Sequence, residues 1–168
     1  MTAAVDSAVE AFRETLLARG GLEGVDANDA VEVGRRAALL VRSATAWREH
    51  LGGLLDVKGV IALLGVSTRQ AVYDLVSRGR LLGLRRDGGS MAFPVFQFDP
   101  ATGRAYPVII DVLTAFARAG VDPYTVATWL ATDQDELDGA SPAAMLPDPA
   151  AADAIRAAAQ RTAARLSH

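Results

Sequence analysis

Apolar residues recur at helical spacing in several separate stretches of the chain. Between residues 3 and 19, Val5, Val9, Phe12 and Leu16 make one stripe with charged positions elsewhere, and Gly20-Gly21 provides a stop. A longer pattern from Asp26 or Asn28 to about His50 places Val33, Ala37, Leu40, Ala44, Trp47 and Leu51 on one side, ending at Gly52-Gly53. The two predict a helical hairpin, which either caps the next domain or pairs with its copy in a second chain. Val57, Val60, Ile61 and Leu64 then form a short apolar face, and Gly65 supplies the freedom a tight turn needs. Ser67 is placed to cap a second short helix, Thr68 to Val76, whose Ala71, Val72, Leu75 and Val76 face the first. The spacing is that of a helix-turn-helix. Leu81 to Arg86 and Ser90 to Phe93, around Asp87-Gly88-Gly89, predict a two-stranded wing.

Beyond the wing the helix starts are marked by proline. Tyr106-Pro107 opens a helix with Ile109, Val112, Leu113 and Phe116 inward, and Asp122-Pro123 opens one carrying Val126, Trp129 and Leu130. Ser141-Pro142 begins a short helix with Met145 and Leu146, and Asp148-Pro149 an alanine-rich last one. The expected fold is mainly α: an N-terminal helical hairpin (1–53), a winged helix-turn-helix with a small β-hairpin wing (54–99), and a C-terminal helical domain (100–168). Taken alone, Trp129, Leu130, Leu137 and Leu146 read as core residues.

Charge alters this picture. The total of −3 averages over segments of opposite sign: 1–55 hold 6 basic and 8 acidic groups, 56–90 hold 6 and 3, and 91–168 hold 5 and 9. The +3 segment is the helix-turn-helix. A recognition helix lying in the major groove would present Ser67, Thr68, Arg69, Gln70 and Tyr73 from its N-terminal end. Arg78 and Arg80 flank Gly79 just beyond it, and Arg85 and Arg86 stand where a wing meets the DNA backbone. Double-stranded DNA is therefore the expected partner, although winged folds also serve as protein-interaction modules.

Other chemistry finds little footing. With no cysteine, disulfides, thiolate catalysis and Cys-containing zinc sites are excluded. The two histidines, His50 and His168, have no motif neighbours, and the acidic group from Asp133 to Asp138 lacks calcium-loop spacing. The glycine pairs fit no phosphate-binding fingerprint. A non-enzyme without metal or cofactor is expected. No apolar run reaches the roughly 20 residues of a membrane helix and no early basic cluster marks a leader, so a cytoplasmic location is expected.

The run from Phe93 to Leu146, with its Trp129-Leu130, Leu137-x-Gly139 and Ser141-Pro142-x-x-x-Leu146 pattern, resembles the toxin-binding domain of Xre/MbcA/ParS-type antitoxins. The segment from Leu55 to Arg86 resembles winged helix-turn-helix modules of the MerR or excisionase kind. The resemblance implies an antitoxin that neutralises a cognate RES-domain, NAD-consuming toxin and represses its own operon. It also implies partner-binding roles for Trp129, Leu130, Leu137, Pro142 and Leu146. In that family the C-terminal end enters the toxin cleft, which would give Arg156, Arg161 and Arg165 contacts with the partner. The last helix has only Ile155 and Leu166 as large apolar anchors, so it is expected to be mobile until docked, against the alternative of a capping helix folded back on Trp129 and Leu146. A homodimer through the N-terminal hairpin is expected, since operator sites are commonly palindromic pairs. The rival readings are a protein-interaction adaptor and a transcription regulator that is no antitoxin.

Overall fold

A computed structural model describes residues 2–19, 26, 30–31, 34, 50–86 and 88–167. Met1–Thr45 and Ala46–His168 are separate compact units. In the first unit, α1 (Thr2–Arg19) is a helix as expected. It leaves Val9, Phe12 and Leu17 exposed. The expected second helix, and with it the hairpin, lies almost entirely outside the described residues.

The second unit starts with a strand that periodicity does not reveal, β1 (Leu54–Asp56). The side chain of Asp56 accepts a hydrogen bond from the Gly59 N–H and so caps α2 (Val57–Leu64), which ends at Gly65 with φ 67°. The next helix, α3 (Arg69–Ser77), is capped by Thr68, whose hydroxyl accepts from the Ala71 N–H. The expected cap, Ser67, lies one residue outside. At the far end Gly79 N–H donates to the Val76 carbonyl and Arg80 N–H to that of Leu75, with Gly79 at φ 64°. This closes the helix by the left-handed residue that glycine adopts without steric cost.

The wing strands are shorter than expected: β2 is Leu84–Arg85 and β3 is Met91–Pro94. The sheet has three antiparallel strands in the order β1-β3-β2, with Leu55 opposite Phe93, and Ala92 opposite both Asp56 and Leu84. Continuing the β2–β3 register by two residues puts Leu82 opposite Pro94, which has no N–H to offer. Gln97, from a 3-10 turn at Val95–Gln97, fills this place. Its Oε1 accepts from the Leu82 N–H at 2.8 Å, and its Nε2 donates to the carbonyls of Leu82 and Pro94 at 3.0 Å each. Gln97 is fully buried, and its amide bridges the two backbones where Pro94 cannot donate a ladder bond to the Leu82 carbonyl.

Four helices follow: α4 (Pro107–Arg118), α5 (Pro123–Ala131), α6 (Pro142–Met145) and α7 (Ala152–Leu166), with 3-10 turns at Asp135–Leu137 and Pro149–Ala151. The expected caps hold, since the side chains of Asp122, Ser141 and Asp148 accept backbone N–H groups in the turns they precede. The fold is mainly α with a small three-stranded antiparallel sheet, as a winged helix-turn-helix requires. Among the described residues no helix is long and apolar enough to cross a membrane.

Two cores hold the unit together. Val60, Val72, Leu81, Phe93 and Phe98 close the helix-turn-helix. A larger core joins α4, α5 and α7, and it also takes in Leu51, just ahead of β1, and Leu82 and Leu84 from the winged segment. Consecutive residues Leu81 and Leu82 thus serve different cores.

The larger core corrects two expectations from the resemblance. Trp129, Leu130, Leu137, Pro142 and Leu146 are all buried, Trp129 at 8% exposure packing its ring 5.1 Å from that of Phe116. A partner could reach them only by opening the core, so they are packing residues and not a docking surface. Nor does α7 stand free: Ile155, Ala158, Ala159 and Ala163 are buried and the helix packs along α4. Short side chains let the two helix backbones approach, which a count of large anchors overlooks.

Candidate nucleic-acid interface

Capping by Thr68 leaves Arg69 and Gln70 in the first turn of α3, both exposed, while Val72 points inward with no exposure. Helical spacing sets Gln70, Asp74 and Ser77 opposite Val72 and Leu75, with Arg69 and Tyr73 at the flank of that outward side. Tyr73 is half-buried. Ser67 and Thr68 are exposed as well, the Thr68 hydroxyl accepting from the Ala71 N–H while its own O–H is not used by the cap. This outward face offers a guanidinium, an amide and a phenol, groups that can pair with base edges or phosphates.

Arg78 and Arg80 are exposed on either side of Gly79, just past the end of α3. On the wing, Arg85 is the exposed member of β2, its neighbour Leu84 being buried. Arg86 and Ser90 close the hairpin, the Arg86 N–H donating to the Ser90 carbonyl at 2.8 Å. Gly88 and Gly89, each at φ 82°, make the turn between them.

Ion pairing separates these arginines from those that follow. Among the described residues, no carboxylate pairs with the side chain of Arg69, Arg78, Arg80, Arg85 or Arg86. In contrast, Arg156 Nε lies 2.9 Å from Asp111 and its Nη1 also meets Asp153, while Arg161 and Arg165 grip the two oxygens of Glu136 at 2.7 and 2.9 Å. The hydrogen bond from Arg161, and then that from Arg165, hold the Glu136 carboxyl below the usual carboxylate range. These three arginines, expected to reach a partner, instead fasten α7 to α4 and to the turn at Asp135–Leu137.

Three contributors escaped the sequence reading. Lys58, exposed in the first turn of α2, adds a positive charge on the helix that crosses the DNA backbone in this kind of motif. The hydroxyl of Tyr124 on α5 donates to the Arg85 carbonyl and so ties the wing to the helical region. Asp74 accepts from Gln70 Nε2 at 2.9 Å. The last was legible as an i, i+4 pair; the tie between Tyr124 and Arg85 spans 39 residues and left no local trace. Among the described residues no cluster of side chains could hold a metal ion.

No protein-family model matches the chain, and no curated protein shows significant similarity to it. Among solved structures, the NMR structure of Rv2175c is similar to it with a TM-score of 0.56 and 26% sequence identity, over 66% of this chain and 80% of that one.

Proposed function

We propose that this chain binds double-stranded DNA as a transcription regulator, with α3 in the major groove and the β2–β3 wing on the adjoining backbone. The observation that supports it is the difference in ion pairing. None of the five arginines between 56 and 90 has a carboxylate partner among the described residues, whereas three of the five between 91 and 168 do. An acidic protein that leaves all five arginines around a recognition helix and wing without a carboxylate among the described residues offers them to an anionic ligand, and a duplex is the one this geometry fits.

A gel-shift titration on duplex DNA from the region upstream of the gene tests the reading. Arg85→Ala and Arg86→Ala are each expected to weaken binding to all sequences alike and to lower the salt slope by about one. Arg69→Ala should instead relax base preference at one position, by about 1–3 kcal/mol. Binding that ignores both salt and these substitutions would overturn the assignment.

An antitoxin role draws nothing from this geometry. The residues that resemblance assigned to toxin contact close the core, and the three C-terminal arginines are engaged within the chain. Self-association does belong to the reading, through the first unit, where α1 leaves Val9 at 59%, Phe12 at 42% and Leu17 at 73% exposure. A chain lacking residues 1–45 is expected to run as a monomer in light scattering. An unchanged oligomer mass would place the interface elsewhere.

A further inference from the structure

The outward face of α3 carries more information than charge. Gln70 Nε2 donates to Asp74 Oδ1 at 2.9 Å, one helical turn along. A carboxylate can only accept, so this contact fixes which end of the Gln70 amide is nitrogen and which is oxygen. Gln70 is exposed, and its Oε1 and second N–H remain available beyond the bond to Asp74. An acceptor and a donor side by side on a single planar group match the N6–H donor and N7 acceptor that adenine presents in the major groove. Guanine offers two acceptors there, which a held amide with one free N–H cannot satisfy together.

From this pairing, and resting on the DNA-binding reading above, we infer that Gln70 reads an adenine in the major groove and that Asp74 is the residue that positions it. Asp74 gains nothing from the phosphates, since its charge repels them. Its presence on the groove-facing side of a recognition helix is explained by what it does to Gln70. Without it the amide would be free to rotate, and either orientation could meet the groove. Part of the cost of ordering the side chain at the moment of binding is thus met in the free protein.

Selection of the full-length protein and three variants on a duplex library with a randomised centre tests this, with base preferences read by sequencing and retention measured across a salt series. The wild type is expected to enrich adenine at one position per half-site by about tenfold over the other bases. Gln70→Ala should flatten that position alone. Asp74→Ala should lower the adenine preference while holding random duplex at least as tightly as the wild type, because it removes a negative charge from the face. Asp74→Asn keeps an acceptor and should restore the preference. A Gln70→Ala profile equal to the wild type, or a position that selects cytosine through Asp74 itself, overturns adenine reading. Full adenine preference in Asp74→Ala overturns the positioning role. Salt-dependent retention with no base preference lost in any variant would sink this inference and leave the DNA-binding reading standing, whereas no retention of any duplex would sink both.

Discussion

Deletion of residues 149–168 is expected to abolish cooperative unfolding of the second unit, followed by circular dichroism through a thermal or urea ramp. The segment removes α7 and with it Ile155, Ala158, Ala159 and Ala163, all buried in the core shared with α4 and α5. It also strips Glu136 of both its arginines and Asp111 of Arg156. Exposed ion pairs contribute little, so the loss comes from apolar surface returned to water along α4. Single substitutions grade the effect. Ile155→Ala should cost about 3 kcal/mol, as large-to-small changes at fully buried sites do. Ala159→Leu should cost about 1–3 kcal/mol by overpacking, because Ala159 is fully buried in the shared core. A truncated chain that unfolds with an unchanged midpoint would show α7 to be an appendage and return it to the search for a partner surface.

The second large effect is expected at Gln97. Gln97→Met keeps the length of the side chain and removes its hydrogen-bonding ends, leaving the Leu82 N–H and the carbonyls of Leu82 and Pro94 without the amide that now joins them. Unmet buried backbone groups cost about 1–3 kcal/mol each, so a loss of about 3 kcal/mol or more in urea unfolding is expected. The position joins the two cores: Leu81 faces one and Leu82 the other, and the amide holds the strand between them. Weaker duplex binding should accompany the lost stability, because β2 with Arg85, and then Arg86, begins two residues after Leu82. A variant with wild-type stability would show that water replaces the amide without penalty.

The helix-turn-helix was open to reading because its signals are local. A run of apolar residues at helical spacing, a glycine that tolerates a left-handed backbone, and a hydroxyl or carboxylate before each helix act within a few residues of one another. Thr68 took the cap in place of Ser67 because its hydroxyl reaches the Ala71 N–H three residues on. Asp122, Ser141 and Asp148 were likewise legible as caps, and Gly79 as the residue parting two arginines. The candidate interface followed from charge: a +3 stretch within a −3 chain.

Long-range pairing determined the rest. Leu54 to Asp56 is too short to show alternation and becomes a strand because β3 offers it a free edge. Gln97 looks like any polar loop residue until Pro94 is found opposite Leu82. The alanines of α7 showed helix propensity in the sequence, but their value in packing depends on how near α4 lies. The Trp-Leu and Ser-Pro pattern that suggested a toxin surface consists of residue types that serve equally in a core or an interface, and only burial separates the two. Residue type and spacing along the chain thus determine where this protein's helices begin and end and where its positive charge collects. Which apolar faces are covered, and which arginines find a carboxylate partner, depends on contacts between residues tens of positions apart, and these exist only once the chain has folded.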